Sequence, residues 1–193
     1  MPKIVDEAEQ RRRIRDAARR VFAERGFVST GLAHVARAAR MHRTNLYHYY
    51  ADKDALIRDL AEELLAEEEA LFARALEGEG SPLQRIESVT ADVAALFSYW
   101  GSTGKLILQL WANEPRRVRQ AVRRIRDRLA SAIREGQESR EISATLAPDA
   151  AAAMVVGLLD GVLIQVFLDR KAFADSEGLR KAMCDSVRRI LSA

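Results

Sequence analysis

Residues 35–56, VARAARMHRTNLYHYYADKDAL, contain two of the three histidines of the chain and three of its four tyrosines. Before Arg40 and Met41, apolar residues from Leu32 to Ala39 recur on one face of a short helix. After that break, a second short helix is predicted from about His42 to His48. Two short helices joined by a tight turn are typical of a helix-turn-helix, which we predict at residues 31–50.

Longer helices are predicted on both sides of this segment. An apolar stripe from Ile14 to Phe22 predicts a helix over about residues 8–25, which Gly26 ends. Asp52 is a suitable N-cap for a helix from about residue 53 to 76. Residues 1–50 contain 11 Lys or Arg against 5 Asp or Glu, whereas residues 51–80 contain 3 against 10. A basic head followed by an acidic connector suggests that the head binds a polyanion.

The second short helix has two chemically different sides. Met41 and Leu46 are apolar and, with Tyr50, are expected to face the core. The other side chains can donate hydrogen bonds, as a DNA-reading surface requires. Arginine pairs well with guanine and asparagine with adenine, while threonine and tyrosine suit a phosphate or the thymine methyl group. The predicted DNA-binding residues are Arg43, Thr44, Asn45, Tyr47, His48, Tyr49 and Lys53.

Other uses of this chemistry find less support in the sequence. His42 and His48 are six residues apart and have no cysteine partner, so neither a zinc site nor any other metal or cofactor is predicted. No Ser/His/Asp set or glycine-rich phosphate loop indicates an enzyme. The carboxylates of EELLAEEEA (62–70) lack histidine and a Gly-bearing loop, so we interpret them as an exposed side of a helix.

The head closely resembles the N-terminal domain of the tetracycline-repressor (TetR) family. The family pattern I-x-x-A-A-x-x-L-F-x-E-x-G-Y is met by Ile14, Ala17, Ala18, Val21, Phe22, Glu24, Gly26 and Phe27. Its continuation, T-S-x-x-x-I-A-x-x-A-G-V-S-x-G-T-L-Y-x-H-F-x-x-K-E-x-L, is met by Thr30, Val35, Ala36, Ala39, Met41, Leu46, Tyr47, Tyr50, Lys53, Asp54 and Leu56. The resemblance implies an all-α protein with a three-helix helix-turn-helix DNA-binding domain, placed at 8–68. It also implies a C-terminal helical domain for ligand binding and dimerisation, placed at 69–193.

Four residues depart from the family pattern. Arg40 stands where the turn usually has glycine, at a cost of order 1 kcal/mol if its φ angle is positive. His42 replaces the serine that usually caps the second helix, so this cap is weaker or made differently. Gly31 lacks the hydroxyl expected before the first short helix, which removes a phosphate contact. Asn45 replaces a common threonine or alanine, and we predict that it helps to give this protein its own operator preference.

Five further helices are predicted downstream, without a convincing strand. They cover about residues 82–99, 105–113, 115–135, 148–168 and 176–191, which brings the total to about nine. In the arginine-rich run RRVRQAVRRIRDRL (116–129), Val118, Ile125 and Leu129 lie on one helical face, so the arginines are interpreted as a solvated face. The longest apolar run, 150–168, approaches membrane-spanning length but contains Asp160 and Gln165, which favours a soluble helix.

The C-terminal helices are expected to supply a dimer interface and an effector pocket, as the resemblance implies. A helix-turn-helix protein usually reads a two-fold site as a dimer, and glycines permit close helix approach. The predicted interface comprises Met154, Gly157, Leu158, Gly161, Ile164, Met183 and Val187; a fully buried helix within one chain is the alternative. The predicted pocket, for a hydrophobic effector, comprises Phe97, Trp100, Leu106, Leu110 and Trp111. Asp160 and Gln165 could contact either the ligand or the partner subunit.

Composition agrees with a cytoplasmic regulator. Apolar residues make up 48% of the 193 residues and charged residues 31%, and the single cysteine, Cys184, cannot form an internal disulfide. The N-terminus is polar and charged, unlike a signal peptide. We expect a homodimeric repressor, not an enzyme and not membrane-bound, that a small molecule releases from a palindromic double-stranded DNA operator. The alternatives are a helix-turn-helix activator or ligand-independent regulator, and an all-helical small-molecule-binding or scaffold protein.

Overall fold

The computed structural model describes residues 6–26, 28–99, 111–112, 114–169, 171 and 173–192. Every regular element in these ranges is an α-helix, which confirms the predicted all-α class. The helices of these ranges are α1 (Glu7–Arg25), α2 (Leu32–Ala38), α3 (Arg43–Tyr49), α4 (Lys53–Leu76), α5 (Pro82–Tyr99), α6 (Pro115–Glu138), α7 (Pro148–Leu168) and α8 (Ser176–Ser192).

The predicted helix ends lie within three residues of the observed ones. The largest difference is at α6, which continues through Gly136 to Glu138 although its end was predicted near residue 135. Gly136 is buried, and a Cβ atom at this position would lie 2.5 Å from Cδ1 of Ile142. This glycine therefore provides room for a neighbouring side chain instead of ending the helix. The ninth predicted helix, 105–113, lies outside the described residues except for Trp111 and Ala112, which are helical.

The chain divides into two compact units, and the change falls between Leu64 and Leu65, inside α4. The first unit contains residues 6–64 and the described part of 105–115. The second contains residues 65–99 and the described residues from Arg116 onward. The functional domain bounds of 8–68 and 69–193 stay a prediction.

The N-terminal unit has one apolar core, to which α1, α2, α3 and the first half of α4 all contribute. Its buried members are Ile14, Ala17, Ala18, Phe22, Leu32, Val35, Ala36, Ala39, Leu46, Tyr50, Leu56, Ile57, Leu60 and Ala61. Ion pairs join α1 to α4 beside this core, with Arg15 Nε 2.8 Å and Arg19 Nη2 2.7 Å from the carboxylate of Glu63. The Tyr50 hydroxyl donates a hydrogen bond to Asp59. Burial, followed by this bond, raises the pKa of Tyr50 to about 12.

The C-terminal unit places α5 against α7 and α8, with apolar residues of all three helices in its interior. The central buried residues are Ile86, Val89 and Val93 of α5, Ala152, Val155 and Leu159 of α7, and Met183, Val187 and Leu191 of α8. At the edge, Arg188 donates to both carboxylate oxygens of Glu87, at 2.6 and 2.9 Å. In α6 the arginines other than the half-buried Arg117 are exposed, as expected from the sequence, and Arg124 donates to Glu69 at 2.6 and 2.8 Å.

Helix α7 is long and apolar enough to cross a membrane by length and composition alone. Its most apolar stretch of 18 residues has a mean hydropathy of 2.2, and 39% of that stretch is buried within the chain. Core helices of soluble proteins meet the same criterion. The seven buried residues of α7 are Ala151, Ala152, Val155, Val156, Leu159, Leu163 and Val166, so one side of the helix belongs to the core of the unit.

Candidate nucleic-acid interface

The turn between α2 and α3 is closed by backbone hydrogen bonds and contains a left-handed residue. The N–H groups of Arg40 and Met41 donate to the carbonyls of Arg37 and Ala36, at 3.1 and 3.0 Å. This pair of bonds is the Schellman arrangement that ends many helices, with Arg40 where glycine is usual. The φ angle of Arg40 is +54°. Because this φ angle is positive, Arg40 carries the backbone cost that a residue other than glycine has in this conformation.

Both short helices are capped by histidines. Nδ1 of His42 accepts a hydrogen bond from the backbone N–H of Thr44 at 3.4 Å and lies 3.0 Å from its hydroxyl oxygen. The cap of α3 is thus made by an imidazole in place of the serine hydroxyl. At the start of α2, Nδ1 of His34 accepts from the N–H of Gly31 at 3.2 Å. The sequence left His34 without a role, although its position three residues after the N-cap is where a capping side chain reaches back.

Helix α3 separates into a buried and an exposed side as predicted. Leu46 is completely buried, Tyr50 just after the helix is buried, and Met41 packs half-buried against the same core. Five polar side chains of α3 are exposed: Arg43, Thr44, Asn45, Tyr47 and His48. The structure thus places hydrogen-bond donors and acceptors together on the outer side of one seven-residue helix.

Arg43 and Tyr47 form a pair on that exposed side. The guanidinium donates to the Tyr47 hydroxyl at 2.8 Å, and its central carbon lies 5.4 Å from the centre of the ring. One turn of helix separates the two residues, which is the spacing at which side chains meet. The pair restricts the rotamers of both side chains while leaving 41% of Tyr47 exposed.

Tyr49 and Lys53 are less accessible than the rest of the predicted set. Tyr49 is half-buried against the core, where Arg11 lies 5.9 Å from the centre of its ring and 3.4 Å from its carbonyl oxygen. Lys53 is half-buried at the first position of α4. Asp52 caps that helix as predicted, since its carboxylate accepts from the N–H of Ala55 at 2.7 Å.

The predicted effector pocket falls largely on residues that the structure does not describe. Trp100, Leu106 and Leu110 lie outside the described residues, as does the side chain of Phe97. Trp111 is helical and half-buried. In the described part of the chain, no three histidine, cysteine or carboxylate side chains come together as a metal site would require.

The predicted dimer residues separate into two groups. Met154 and Gly157 are exposed, and Leu158, Gly161 and Ile164 are half-buried, all on α7. Met183 and Val187 are buried within the same chain and belong to its core, so we do not retain them in the proposed interface. Their spacing in α8 indicated a buried face correctly, but spacing alone does not tell an intrachain partner from a second subunit.

Asp160 lies near the carboxylate of Glu68, which was predicted to lie on an exposed side of α4. Burial raises the pKa of Asp160 to about 6. Burial, then Asp160 and Glu69, raises the pKa of Glu68 to about 7. Glu68 stands four residues from both Leu64 and Phe72, so an apolar row along α4 was the signal for its half-buried position. Gln165 is exposed and donates to the carbonyl of Gly161 at 3.4 Å.

Comparison with known proteins gives matches over both units. Residues 14–60 match the model of the bacterial regulatory proteins of the tetR family, and residues 112–192 match that of the C-terminal part of BetI-type transcriptional repressors. The HTH-type transcriptional regulator BetI of Brucella anthropi is 30% identical over 164 residues, which cover 82% of this chain and 84% of BetI.

Two further similarities differ in extent. The HTH-type transcriptional regulator HbdR of Aromatoleum sp. is 32% identical over 85 residues, so the chain spans 36% of the length of HbdR. The structure of Salmonella enterica GusR superposes with a TM-score of 0.75 at 23% identity and covers 98% of each chain. At that identity the superposition bears on the fold alone.

Proposed function

Because the chain belongs to the TetR family of transcriptional regulators, we propose that it is a homodimeric repressor that a small effector releases from its DNA operator. The observation that carries this proposal is the exposed side of α3, where five polar side chains stand on a helix anchored by the buried Leu46. A helix of this kind enters the major groove and reads base edges with the side chains that face away from the core.

Some exposed residues of α3 would contact base edges and others would contact phosphates. Asn45 can pair with the edge of adenine through two hydrogen bonds, and Arg43 with guanine or with a phosphate. The Tyr47 hydroxyl and the Thr44 hydroxyl suit phosphate oxygens, which position the protein without reading sequence. Lys53, at the N-terminus of α4, would add a positive charge where the helix already attracts anions.

Two substitutions test these assignments. Tyr47→Ala removes a phosphate contact and the partner of Arg43, so operator affinity should fall by about tenfold on every sequence. Asn45→Ala should instead relax the preference at one base pair of each half-site, by about 5- to 150-fold in discrimination. Binding is measured by fluorescence anisotropy on the operator and on a set with each base pair changed. Arg74→Ala, in the exposed last turn of α4, is the control, and unchanged affinity and preference in both test variants would refute the assignment of α3.

The dimer would form through the uncovered side of α7. Met154 is 55% exposed and Leu168 is 74% exposed, and both stand on a helix whose opposite side is buried in the unit. Apolar area of this kind favours association with a second copy, and the exposed Gly157 lets two helices approach closely. Because its proposed partner is operator DNA, such a dimer would be a cytoplasmic protein.

Light scattering after size exclusion measures this assembly directly. The native chain should be a dimer at micromolar concentration, and Met154→Lys should shift it to monomer because a buried ammonium lacks a partner. Ala144→Lys, on an exposed loop residue, introduces the same charge and should leave the dimer intact. A monomeric native chain, or an equal effect of both variants, would contradict the proposed interface.

Effector binding would act by shifting the population of head spacings towards one that no longer fits consecutive major grooves. Trp100 and Trp111, the two tryptophans of the chain, are both predicted pocket residues, so selectively excited tryptophan fluorescence reports on this region alone. The hydrophobic probe 1-anilinonaphthalene-8-sulfonate should quench that fluorescence and release bound operator over the same concentration range. If the probe quenches the fluorescence but does not release the operator, the pocket binds ligands without controlling DNA binding, and the proposed effector response is refuted.

A further inference from the structure

The arginines of α1 and of the turn between α2 and α3 fall into two groups. Four are neutralised by nearby carboxylates: Arg11 by Glu7, Arg12 by Glu9, Arg15 by Asp59 and Glu63, and Arg19 by Glu63. Within the described ranges, no hydrogen bond or ion pair engages the side chains of Arg13, Arg20, Arg25 and Arg40. All four are exposed. Three of these unpaired charges, those of Arg13, Arg20 and Arg40, lie together.

These three arginines surround one shallow groove on the N-terminal unit. The groove has a volume of about 320 Å³ and is lined by Arg13, Asp16, Arg20, Ala38, Ala39 and Arg40. Arg13, Asp16 and Arg20 share one face of α1, since they lie three and seven residues apart. Ala38 and Ala39 have short side chains, which leaves the space between α1 and the turn open.

The charges around the groove favour an anion. Three guanidinium groups face one carboxylate, that of Asp16, so the groove keeps a net charge of about +2 at neutral pH. Guanidinium groups are weakly hydrated and offer several N–H donors in a plane, which matches the oxygens of a phosphate. Concave surfaces lined by one sign of charge concentrate the opposite ion.

The backbone of Arg40 gives a second, independent argument. Its φ angle of +54° is a conformation that glycine adopts freely and that a side chain makes unfavourable. No hydrogen bond or ion pair of the Arg40 side chain within the described residues offsets this cost. A strained residue whose side chain reaches no protein partner indicates an external one.

Resting on the proposed function, we propose that Arg13, Arg20 and Arg40 form a second phosphate-contacting surface, which binds the DNA backbone beside the segment read by α3. Arg40 precedes Arg43, the first residue of α3, by three residues, so their Cα atoms are at most about 11 Å apart. Phosphates of neighbouring nucleotides lie within that distance. The surface would add affinity without sequence preference, because it contacts phosphates and not bases.

The salt dependence of DNA binding tests this assignment. A plot of log K against log salt has a negative slope, and each of Arg13→Gln, Arg20→Gln and Arg40→Gln should reduce its magnitude by about 0.9. This change corresponds to about eightfold weaker binding at 0.1 M salt. The loss should be equal on the operator and on a non-operator duplex of the same length. Asp16→Asn should act in the opposite direction, with tighter binding to both duplexes.

Two further variants make the test specific. Arg123→Gln removes the same charge from an exposed arginine of the C-terminal unit and should leave the slope unchanged. Arg40→Gly relieves the backbone and removes the guanidinium, so the melting temperature should rise while DNA affinity falls. A rise in both quantities would overturn the role of Arg40.

The outcomes separate this inference from the proposed function. If the native chain binds no operator, the proposed function fails and this surface fails with it. If the native chain binds an operator but the three glutamine variants keep its salt slope, only the second surface is refuted. An equal reduction by Arg123→Gln would show a general charge effect and would also refute it.

Discussion

Helices α3 and α7 carry the proposed recognition and assembly, and they expose opposite chemistries. Helix α3 has seven residues, of which only Leu46 is fully buried, and its outer side is polar. Helix α7 has twenty-one residues, of which seven are buried, and its exposed residues include Met154 and Leu168. A polar surface stays hydrated without its partner, whereas an apolar one gains free energy only when it is covered. The first therefore suits reversible DNA binding and the second suits permanent association.

The two helices also differ in how they are held. Because α3 is short, it depends on Leu46, on the imidazole of His42 at its start and on the turn at Arg40. Helix α7 has no side-chain cap at its N-terminus and relies on its buried face. Single substitutions should consequently disturb α3 much more than α7.

Leu46→Ala is expected to have the largest effect. Removing a completely buried leucine leaves a cavity and should lower the free energy of unfolding by about 2–5 kcal/mol, measured by urea denaturation. The matched change on the other helix is Leu168→Ala, and both changes are measured in the monomeric Met154→Lys background, where the side chain of Leu168 stays 74% exposed. Leu168→Ala should change stability by less than about 0.5 kcal/mol. Similar losses in both variants would contradict the difference between the helices.

Glu68→Gln probes the interior that faces α7 and should have the next largest effect. The pKa of Glu68 is raised from 4.5 to about 7, mainly by burial, so the folded chain holds a proton that the unfolded chain releases over that range. The free energy of unfolding contributed by this group therefore falls as pH rises from about 4.5 to 7, by about 3 kcal/mol at most.

The measurement for Glu68 is the difference in unfolding free energy between the native chain and Glu68→Gln at several pH values, in which other groups cancel. At pH 7.5 the variant should be the more stable of the two, and the advantage should vanish near pH 4.5. Asp160→Asn should move this pH window lower, because it removes a nearby negative charge. A difference that does not depend on pH would contradict the buried position of Glu68.

His42→Ala should have the smallest effect of the three. It removes the side-chain acceptor for the Thr44 N–H, and a lost N-cap costs about 1 kcal/mol. His42→Ser restores an acceptor and should recover stability, as seen in the melting temperature. His48→Ala, on the exposed side of α3, is the control and should leave stability unchanged. If serine fails to rescue, the imidazole has a role other than capping.

The N-terminal unit could be predicted from sequence because its determinants are local. Apolar spacing placed Leu46 and Tyr50 in the core, and the family pattern, with glycine at the position of Arg40, marked the turn whose φ angle is positive. The cap made by His34 was missed, since imidazole is an uncommon capping group, whereas the cap at His42 was expected to be weaker or made differently. The C-terminal unit depends on contacts between distant segments. Spacing could therefore not reveal that Met183 and Val187 pack within their own chain, although Leu64 and Phe72 gave a signal for the half-buried position of Glu68.

The central claim is that two copies of α3 read one palindromic site. Selection of bound molecules from a pool of random double-stranded DNA, followed by sequencing, tests it without knowledge of the natural operator. The account predicts enrichment of a two-fold symmetric sequence with half-site centres about 34–36 Å, or a multiple of one helical turn, apart. Enrichment of no sequence, or of a single unpaired half-site, would contradict it.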